Sequence, residues 1–396
     1  MVTFLVPDAQ HMTHDYAPVH HWQASRAGLK AAAHSGRTQG AQGYMIRQIA
    51  KRTLRAAAAA IGPHRWRRGP SLLVLTYHRV LPEDHPARET EQPGMLVSPE
   101  LLAMHFEVLR RHFTPVHLDD WLRASKAGKP PPGRSVAITF DDGWRDNFDY
   151  AFPILKAAEM PATIFLVTDM VGSNYRFWPN RLAHVLKYWR PEFRHGLDEK
   201  TRHRMVSLGI PLDLSDGEAT PELIDSVIAR CKAADDAAMY ALLDAIESAA
   251  AGIAKSDPAS LGDQDDQDDQ RDLLDWDEIR LMADSGLTRF GSHTRRHTRL
   301  RDDVDPHVIE DEVRGSRQIL ERQLRQTIPL FCYPNGDCSQ RAYAAVTAAY
   351  EGAVTTNRGW NAPGLDPYAV RRIAVHGDVS ATARNLLARI SGWQGL

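Results

Sequence analysis

The first side chains that could do chemistry are two adjacent aspartates, Asp141 and Asp142. They follow the apolar run 136–140 and precede Gly143. Side chains alternate along a strand, so adjacent aspartates at its end can serve two different purposes. The carboxyl end of a strand is also where α/β barrels place their catalytic groups. A turn capped by an aspartate contains the same residue types, and the tripeptide alone favours that simpler interpretation.

A second cluster contains two histidines four residues apart, His293 and His297, directly after the predicted strand 288–292. At this spacing on one helical turn two imidazoles point the same way, so both can reach one metal ion. A carboxylate from elsewhere would complete three protein ligands and leave one position open for water. A histidine pair alone is more often a surface feature. A histidine pair and an aspartate pair at two strand ends together favour a metal site.

Two further strand ends contribute polar groups. The segment 331–336 runs from an apolar strand into a Pro-Asn-Gly turn, where a backbone N–H could face the same end of the fold. His376 follows the last apolar run, 370–375. Taken separately, each feature is typical of a turn or a strand terminus.

Short apolar runs must position all of these residues. Runs rich in β-branched and aromatic residues alternate with amphipathic stretches such as 101–113 and 147–160. Strands that alternate with helices predict a mainly parallel α/β sheet or barrel whose faces are covered. The predicted strands are residues 72–77, 136–140, 162–167, 288–292, 329–333, 352–356 and 370–375.

The interval 171–270 interrupts this alternation. It contains three helical patterns and ends in a run of aspartates and glutamines over 263–270. Because such charge density does not pack into a core, we predict a helical insertion that is closed by a solvated acidic linker. The linker lacks the glycine and glutamate positions of a calcium loop, so a spacer is favoured over a calcium site.

The amino-terminal end differs from the rest of the chain. Residues 1–44 lack apolar periodicity, and we interpret them as a disordered tail, or as an over-extended start upstream of Met45. Residues 45–70 are basic, and the helical pattern over 45–61 suits docking on the main domain or peripheral contact with an anionic membrane. Docking is favoured because the apolar face is mostly alanine. Residues 71–396 are expected to form the main domain.

Composition excludes several classes of protein. The 396 residues include 48 Lys and Arg against 50 Asp and Glu, and 43% of the chain is hydrophobic, as in an ordinary soluble globular protein. Three scattered cysteines are too few for a disulfide framework and favour a reducing compartment. No apolar run is long enough for a membrane span, and residues 1–15 carry acid and histidine where a secretory signal would need a basic start and an apolar run. We therefore expect a cytoplasmic or membrane-peripheral protein without a nucleic-acid partner.

In their order, these motifs resemble those of the polysaccharide deacetylases of carbohydrate esterase family four. The resemblance covers about residues 71–380 without the insertion. It implies a distorted (β/α) barrel with its site at the carboxyl ends of the strands and a divalent metal ion, usually zinc or a similar ion. The matching motifs are TFDDG at 139–143, SHTRRH at 292–297 and YPNG at 333–336, with a bacterial-type opening strand, LTYHRV, at 75–80.

The resemblance also implies a role for each site residue. A metal ion lowers the pKa of bound water and polarises an amide oxygen, while a free carboxylate beside it can remove a proton. A leaving amine needs a proton from a general acid, and the oxyanion needs a hydrogen-bond donor. The implied metal ligands are Asp142, His293 and His297, the general base is Asp141, the general acid is His376, and the oxyanion donor is the backbone N–H of Asn335.

The chain departs from the family in two respects. Cys332 occupies the place of an arginine that orients the base in many members; Arg371, Arg372 or Arg295 could replace that arginine, or nothing does. The predicted insertion lies between the first two motifs, where the usual connection of the family is much shorter.

The function implied by the resemblance is metal-dependent removal of N-acetyl groups from a polysaccharide or glycan, with an N-acetylated glycan as the substrate. The same site could instead remove acetyl from an O-ester, or formyl from a sugar amine on a lipid carrier. A non-catalytic glycan-binding barrel is a third interpretation, and the complete set of aspartates and histidines speaks against it.

Overall fold

The computed structural model describes residues 53–214, 219–256 and 271–392. Three predicted features lie wholly or partly outside these residues: the tail over 1–44, the beginning of the basic helix over 45–52, and the acidic linker up to residue 270.

Seven parallel strands close into a barrel, in the order β1, β5, β6, β7, β8, β9, β10 and back to β1. They correspond to the seven predicted runs, and the α/β barrel expected from the sequence is confirmed. A two-residue strand, β4, pairs with β5 outside the ring, and β2 pairs with β3. The strands are β1 Ser71–Tyr77, β2 Arg79–Val80, β3 Leu96–Val97, β4 Thr114–Pro115, β5 Arg134–Phe140, β6 Ala162–Leu166, β7 Thr288–Ser292, β8 Leu330–Cys332, β9 Gly352–Arg358 and β10 Val370–Ala374.

Alternation along each strand separates two apolar layers. On β1, Leu73 and Leu75 belong to the large core between the strands and the helices. Leu72 and Val74, on the opposite face, belong to a smaller core inside the barrel together with Phe165 of β6. The same period of two therefore determines which side chains reach the interior near the carboxyl ends of the strands.

Helices cover the outside of the barrel. Several begin at a side-chain cap; for example, Ser98 accepts a hydrogen bond from the backbone N–H of Leu101, and Pro99 takes the first helical position. Two single π-helical turns, Asn147–Ala151 and Asp311–Gly315, follow the motif segments. The helices are α1 Pro63–Trp66, α2 Pro99–His112, α3 Leu118–Lys126, α4 Phe152–Ala158, α5 Trp178–Lys187, α6 Glu199–Ser207, α7 Pro221–Cys231, α8 Asp236–Ser256, α9 Trp276–Asp284, α10 Pro306–Glu310, α11 Ser316–Leu324, α12 Gln340–Ala349, α13 Gly377–Ser380 and α14 Ala383–Ile390.

The part of the chain between β6 and α9 contains the four helices α5 to α8. Their apolar faces form a core of their own, which includes Leu182, Met205, Val227 and Leu243. This part of the chain is helical, as the periodicity predicts. Among the described residues, no helix is long and apolar enough to cross a membrane.

A further helix covers residues 53–61 of the basic segment. Ala58 and Ala59 are buried against Ala388 of α14, whereas Leu54 and Ile61 are exposed. These contacts favour the docked interpretation for the described part of the segment.

Candidate active site

Asp141 and Asp142 lie in the turn that follows β5. Thr139 and Asp141 share the parity of Ala137, which packs inside the barrel, so Asp141 faces the interior. Asp142 has φ 75° and Gly143 has φ 81°. Glycine is needed there because a Cβ at this position would lie 2.7 Å from a methyl carbon of Leu166.

Strained backbone concentrates at these turns. Among the described residues, six that are not glycine have positive φ, and four of them belong to the motifs: Asp142, Thr294, His297 and Asn335. Such conformations cost free energy and persist where the surrounding structure fixes them, which is common at functional sites. The strain therefore indicates that the side chains are held in defined positions.

The histidine motif forms a turn and not the helical turn that the spacing suggested. Positive φ at Thr294 and His297 reverses the chain between the two imidazoles. The turn is held by Glu312, whose fully buried carboxylate accepts hydrogen bonds from the backbone N–H groups of Arg295 (2.8 Å) and Arg296 (2.9 Å). The two histidines still converge, through a different local geometry.

Asp142, His293 and His297 come together as one cluster. The Nε2 atoms of both histidines lie 3.5 Å from the same oxygen, Oδ1 of Asp142. One ligand atom from each residue lies within 4.8 Å of the other two. Two imidazoles and one carboxylate form a donor set that suits zinc and related divalent ions, so the predicted trio fits a metal ion.

Hydrogen bonds orient the ligand atoms of this cluster. Nδ1 of His293 lies 2.8 Å from the carbonyl oxygen of Cys332. A carbonyl only accepts, so Nδ1 carries the hydrogen and Nε2 of the neutral ring presents its lone pair. The indole N–H of Trp144 donates to Oδ2 of Asp142 over 3.1 Å, which leaves Oδ1 facing the histidines.

The charges of the cluster suit cation binding. Although burial favours the neutral acid, the nearby imidazoles of His293 and His297 hold the pKa of Asp142 well below its usual range. Burial lowers the pKa of His297 to about 4, with a further contribution from His293, so this ring is neutral near pH 7. Burial opposes charge on His293, yet Cys332 and Asp142 raise its pKa, and a bound ion would compete with that proton.

Of the three arginines that could take the place of the base-orienting arginine, Arg372 is the one that pairs with Asp141. Its Nη1 donates to Oδ1 of Asp141 over 2.7 Å and its Nη2 to Oδ2 over 2.8 Å, while its Nε donates to the carbonyl of Thr355. Although burial favours the neutral acid, the guanidinium lowers the pKa of Asp141 below its usual value. Cys332 completes this group, with its Sγ 3.3 Å from Nη2 of Arg372.

His78 lies at the carboxyl end of β1, near Asp141. Sequence reasoning did not assign it to the site. It follows β1, and its Nε2 lies 3.9 Å from Oδ2 of Asp141. Burial lowers the pKa of His78. The opening-strand motif that contains it was the available signal, because that motif ends at the carboxyl end of a barrel strand.

His376 lies where the sequence placed it, after β10 and before α13. It is close enough to His78 for their charges to interact, and its Nδ1 lies 3.6 Å from Oδ2 of Asp378. Burial lowers the pKa of His376, and Asp378 opposes that shift.

Asn335 lies in the turn after β8 with φ 55°. Its side chain is exposed, and its carbonyl oxygen accepts a hydrogen bond from Oγ1 of Thr356 over 3.4 Å. Within the described residues, no hydrogen bond or ion pair joins Asn335 to the aspartates or the histidines of the cluster. Its role as an oxyanion donor stays a prediction.

The sequence matches the model of the polysaccharide deacetylase family over residues 128–212 and 236–352. The chain belongs to the polysaccharide deacetylase family. The match includes both the aspartate motif and the histidine motif, whose side chains the barrel brings together. It also includes much of the segment predicted as an insertion.

Two relatives share part of this family domain. A poly-beta-1,6-N-acetyl-D-glucosamine N-deacetylase of Staphylococcus epidermidis is 34% identical over 113 residues, which are 26% of this chain and 38% of that protein. The enzyme of the same name from Escherichia coli K12 is 35% identical over 91 residues, 23% of this chain and 13% of that protein. The chain thus spans well under half of the length of these relatives.

A solved structure supports the fold. The deacetylase PplD of Streptococcus pyogenes, determined in complex with acetate, superposes with a TM-score of 0.51 at 18% sequence identity. The superposition covers 81% of this chain and 99% of that structure. At this identity the likeness concerns the barrel architecture alone.

Proposed function

We propose that this member of the polysaccharide deacetylase family is a metal-dependent hydrolase that removes N-acetyl groups from a polysaccharide or glycan. One observation carries the proposal. A cluster of two imidazoles and the Asp142 carboxylate lies beside a second buried carboxylate, Asp141, which Arg372 keeps ionised. The relatives named as N-acetyl-D-glucosamine N-deacetylases support the choice of substrate class.

The proposed site divides the chemistry between the two aspartates. When bound by Asp142, His293 and His297, a divalent ion such as zinc supplies Lewis acidity toward water and the amide oxygen. Asp141 is the proposed base that accepts a proton from the attacking water. Each of its oxygens has a second lone pair, so the bonds from Arg372 leave it able to accept that proton.

The proposed leaving group is the sugar amine, which departs only when it is protonated. His376 is the proposed donor because it follows β10 on the same end of the barrel as Asp141. The backbone N–H of Asn335 is the proposed donor to the oxyanion. In this scheme Asp142, His293 and His297 would hold the ion, while Asp141 and His376 move protons.

The deciding experiment combines metal analysis with product analysis. Purified protein is expected to contain about one divalent ion per chain and to release acetate from N-acetylated oligosaccharides. The panel includes O-acetylated and N-formylated sugars of matched length, which separate deacetylation of an amide from the esterase and deformylase alternatives. Glycan binding without release of acetate, formate or amine would favour a non-catalytic barrel and contradict the proposal.

A further inference from the structure

Trp144 and Phe177 contact two of the three candidate metal ligands. The indole of Trp144 is 2% exposed and donates its N–H to Oδ2 of Asp142 over 3.1 Å. Phe177 precedes α5, and its ring packs edge to face against Trp144 with centroids 5.4 Å apart. The same phenyl ring packs against the imidazole of His297, with centroids 5.0 Å apart.

The indole hydrogen bond determines which oxygen of Asp142 faces the histidines. Because Oδ2 is engaged by Trp144, Oδ1 is the oxygen that lies 3.5 Å from Nε2 of His293 and of His297. Phe177 packs against the imidazole of His297 and so restricts the orientation of that ring. His293 is already held by the carbonyl of Cys332, so each of the three side chains has a partner that orients it.

Arg79 holds the indole in place. Its guanidinium carbon lies 4.1 Å from the centroid of a Trp144 ring, a cation–π contact. The guanidinium is fixed in turn, because its Nε donates to Asp146 over 2.9 Å and its Nη1 to Glu91 over 3.3 Å. Asn180 of α5 donates to the same oxygen of Glu91 over 2.7 Å.

A buried indole does not by itself indicate such a role. Trp178 is also buried, and its N–H donates to Oδ1 of Asp236 over 3.0 Å, within the helical segment. That hydrogen bond satisfies the indole without contacting the cluster. The difference at Trp144 is the acceptor, which is a side chain of the candidate metal site.

We propose that Trp144 and Phe177 are positioning residues for the metal ligands Asp142 and His297, and that Arg79 fixes the indole. The inference rests on the proposed function, because it takes these side chains as metal ligands. It deepens that function by making metal affinity depend on the segment between β6 and β7, which supplies Phe177 and Asn180. Partners of this kind typically contribute 10- to 100-fold to metal affinity.

The test measures metal binding by the full chain. Trp144→Phe removes the N–H and keeps an aromatic ring, and Phe177→Leu removes the ring and keeps apolar bulk. Zinc affinity is measured by competition with a chromophoric chelator, and Co²⁺ loaded into the same site gives a visible spectrum that reports ligand geometry. Each variant is expected to bind zinc roughly 10- to 100-fold more weakly than the parent and to show an altered Co²⁺ spectrum.

Trp178→Phe is the matched control. It removes an indole N–H that donates to Asp236, a carboxylate away from the cluster, so this variant should bind zinc with the parental affinity. Parental zinc affinity and an unchanged spectrum in both Trp144→Phe and Phe177→Leu would overturn the inference. If Trp144→Phe does not fold, Arg79→Lys decides, because it keeps the buried charge and loses the planar contact; unchanged affinity there also overturns it. A parent chain that binds neither zinc nor Co²⁺ would instead refute the proposed function.

Discussion

Arg372 and Asp141 form a buried bidentate pair across the interior of the barrel. Both terminal nitrogens of Arg372 donate, one to each oxygen of Asp141, at 2.7 and 2.8 Å, and both side chains are at most 5% exposed. The planar guanidinium matches a carboxylate in this geometry, which fixes its orientation as well as its charge. An arginine from β10 thus holds the proposed base, while Cys332 occupies the usual arginine position on β8.

The first prediction concerns Arg372→Met. Arg372 lowers the pKa of Asp141 and burial raises it, so without the arginine the pKa rises and the base becomes protonated at higher pH. The acid limb of the kcat/KM profile should move to higher pH, and misplacement of the base should lower the rate by on the order of 10²-fold. Arg371→Met changes the exposed neighbour and is the control. An acid limb that stays in place in Arg372→Met would contradict the pairing as the source of the low pKa.

A second prediction concerns the three proposed metal ligands. Asp142→Ala, His293→Ala and His297→Ala should each lose bound metal and activity together, because each removes one of three convergent ligand atoms. Metal content of the purified variants is the measurement. His307→Ala, which changes an exposed histidine on α10, should keep both metal and activity. A full complement of metal in His297→Ala would show that the ligand set is wrongly assigned.

A third prediction, for Asp141→Asn, distinguishes the proposed role of Asp141 as a base from that of Asp142 as a metal ligand. The amide keeps the size of the side chain but cannot act as a base, so metal should be retained and the rate should fall by about 10²–10⁴-fold. Metal content and acetate release are measured on the same preparation. Loss of metal in this variant would mean that Asp141, and not only Asp142, holds the ion.

The sequence predicted correctly which residues lie at the carboxyl ends of the strands, because that placement follows from the strand positions alone. The runs before Asp141 and His293 are short and bounded by turns, and parallel strands bring their carboxyl ends to one edge. Sequence spacing suggested a helical turn for the histidines, whereas the actual turn depends on Glu312, which lies more than ten residues farther along the chain.

The choice among the three candidate arginines needed the structure. On β10, Val370 packs inside the barrel, so the period of two turns Arg371 outward and Arg372 inward, but the inward parity is visible only once the barrel is closed. Arg295 instead forms ion pairs with Asp169 and Asp311. The contacts of Phe177 were beyond sequence reasoning because they join a helical segment to a distant turn.

A fourth prediction tests His376 as a general acid. An amine needs a proton to leave, whereas a phenol-type leaving group departs readily without one. His376→Ala should therefore slow release of the amine much more than hydrolysis of an activated aryl acetate. The measurement is kcat/KM for both substrates in the parent and in the variant. Equal slowing on both would indicate a structural role for His376.

The last prediction concerns the attachment of the helical segment to the histidine turn. Arg299 follows His297 by two residues, is 6% exposed, and donates to Asp236 of α8 over 3.0 Å and to the carbonyl of Lys232 over 2.7 Å. Asp236→Ala removes the carboxylate that hydrogen-bonds this buried guanidinium, leaves only the more distant Asp337 at 4.0 Å, and deprives Trp178 of its acceptor.

Loss of that partner should lower the free energy of unfolding by on the order of 1–3 kcal/mol, because a buried donor to a charged group is left unsatisfied. Glu107→Ala removes a carboxylate from an exposed ion pair with Arg111 on α2 and should cost much less. Urea unfolding of both variants gives this comparison. Because the segment adjoins the carboxyl ends of the strands, Asp236→Ala should also raise KM for long glycans more than for short ones. Equal unfolding free energies in the two variants would show that Arg299 does not anchor the helices to the site.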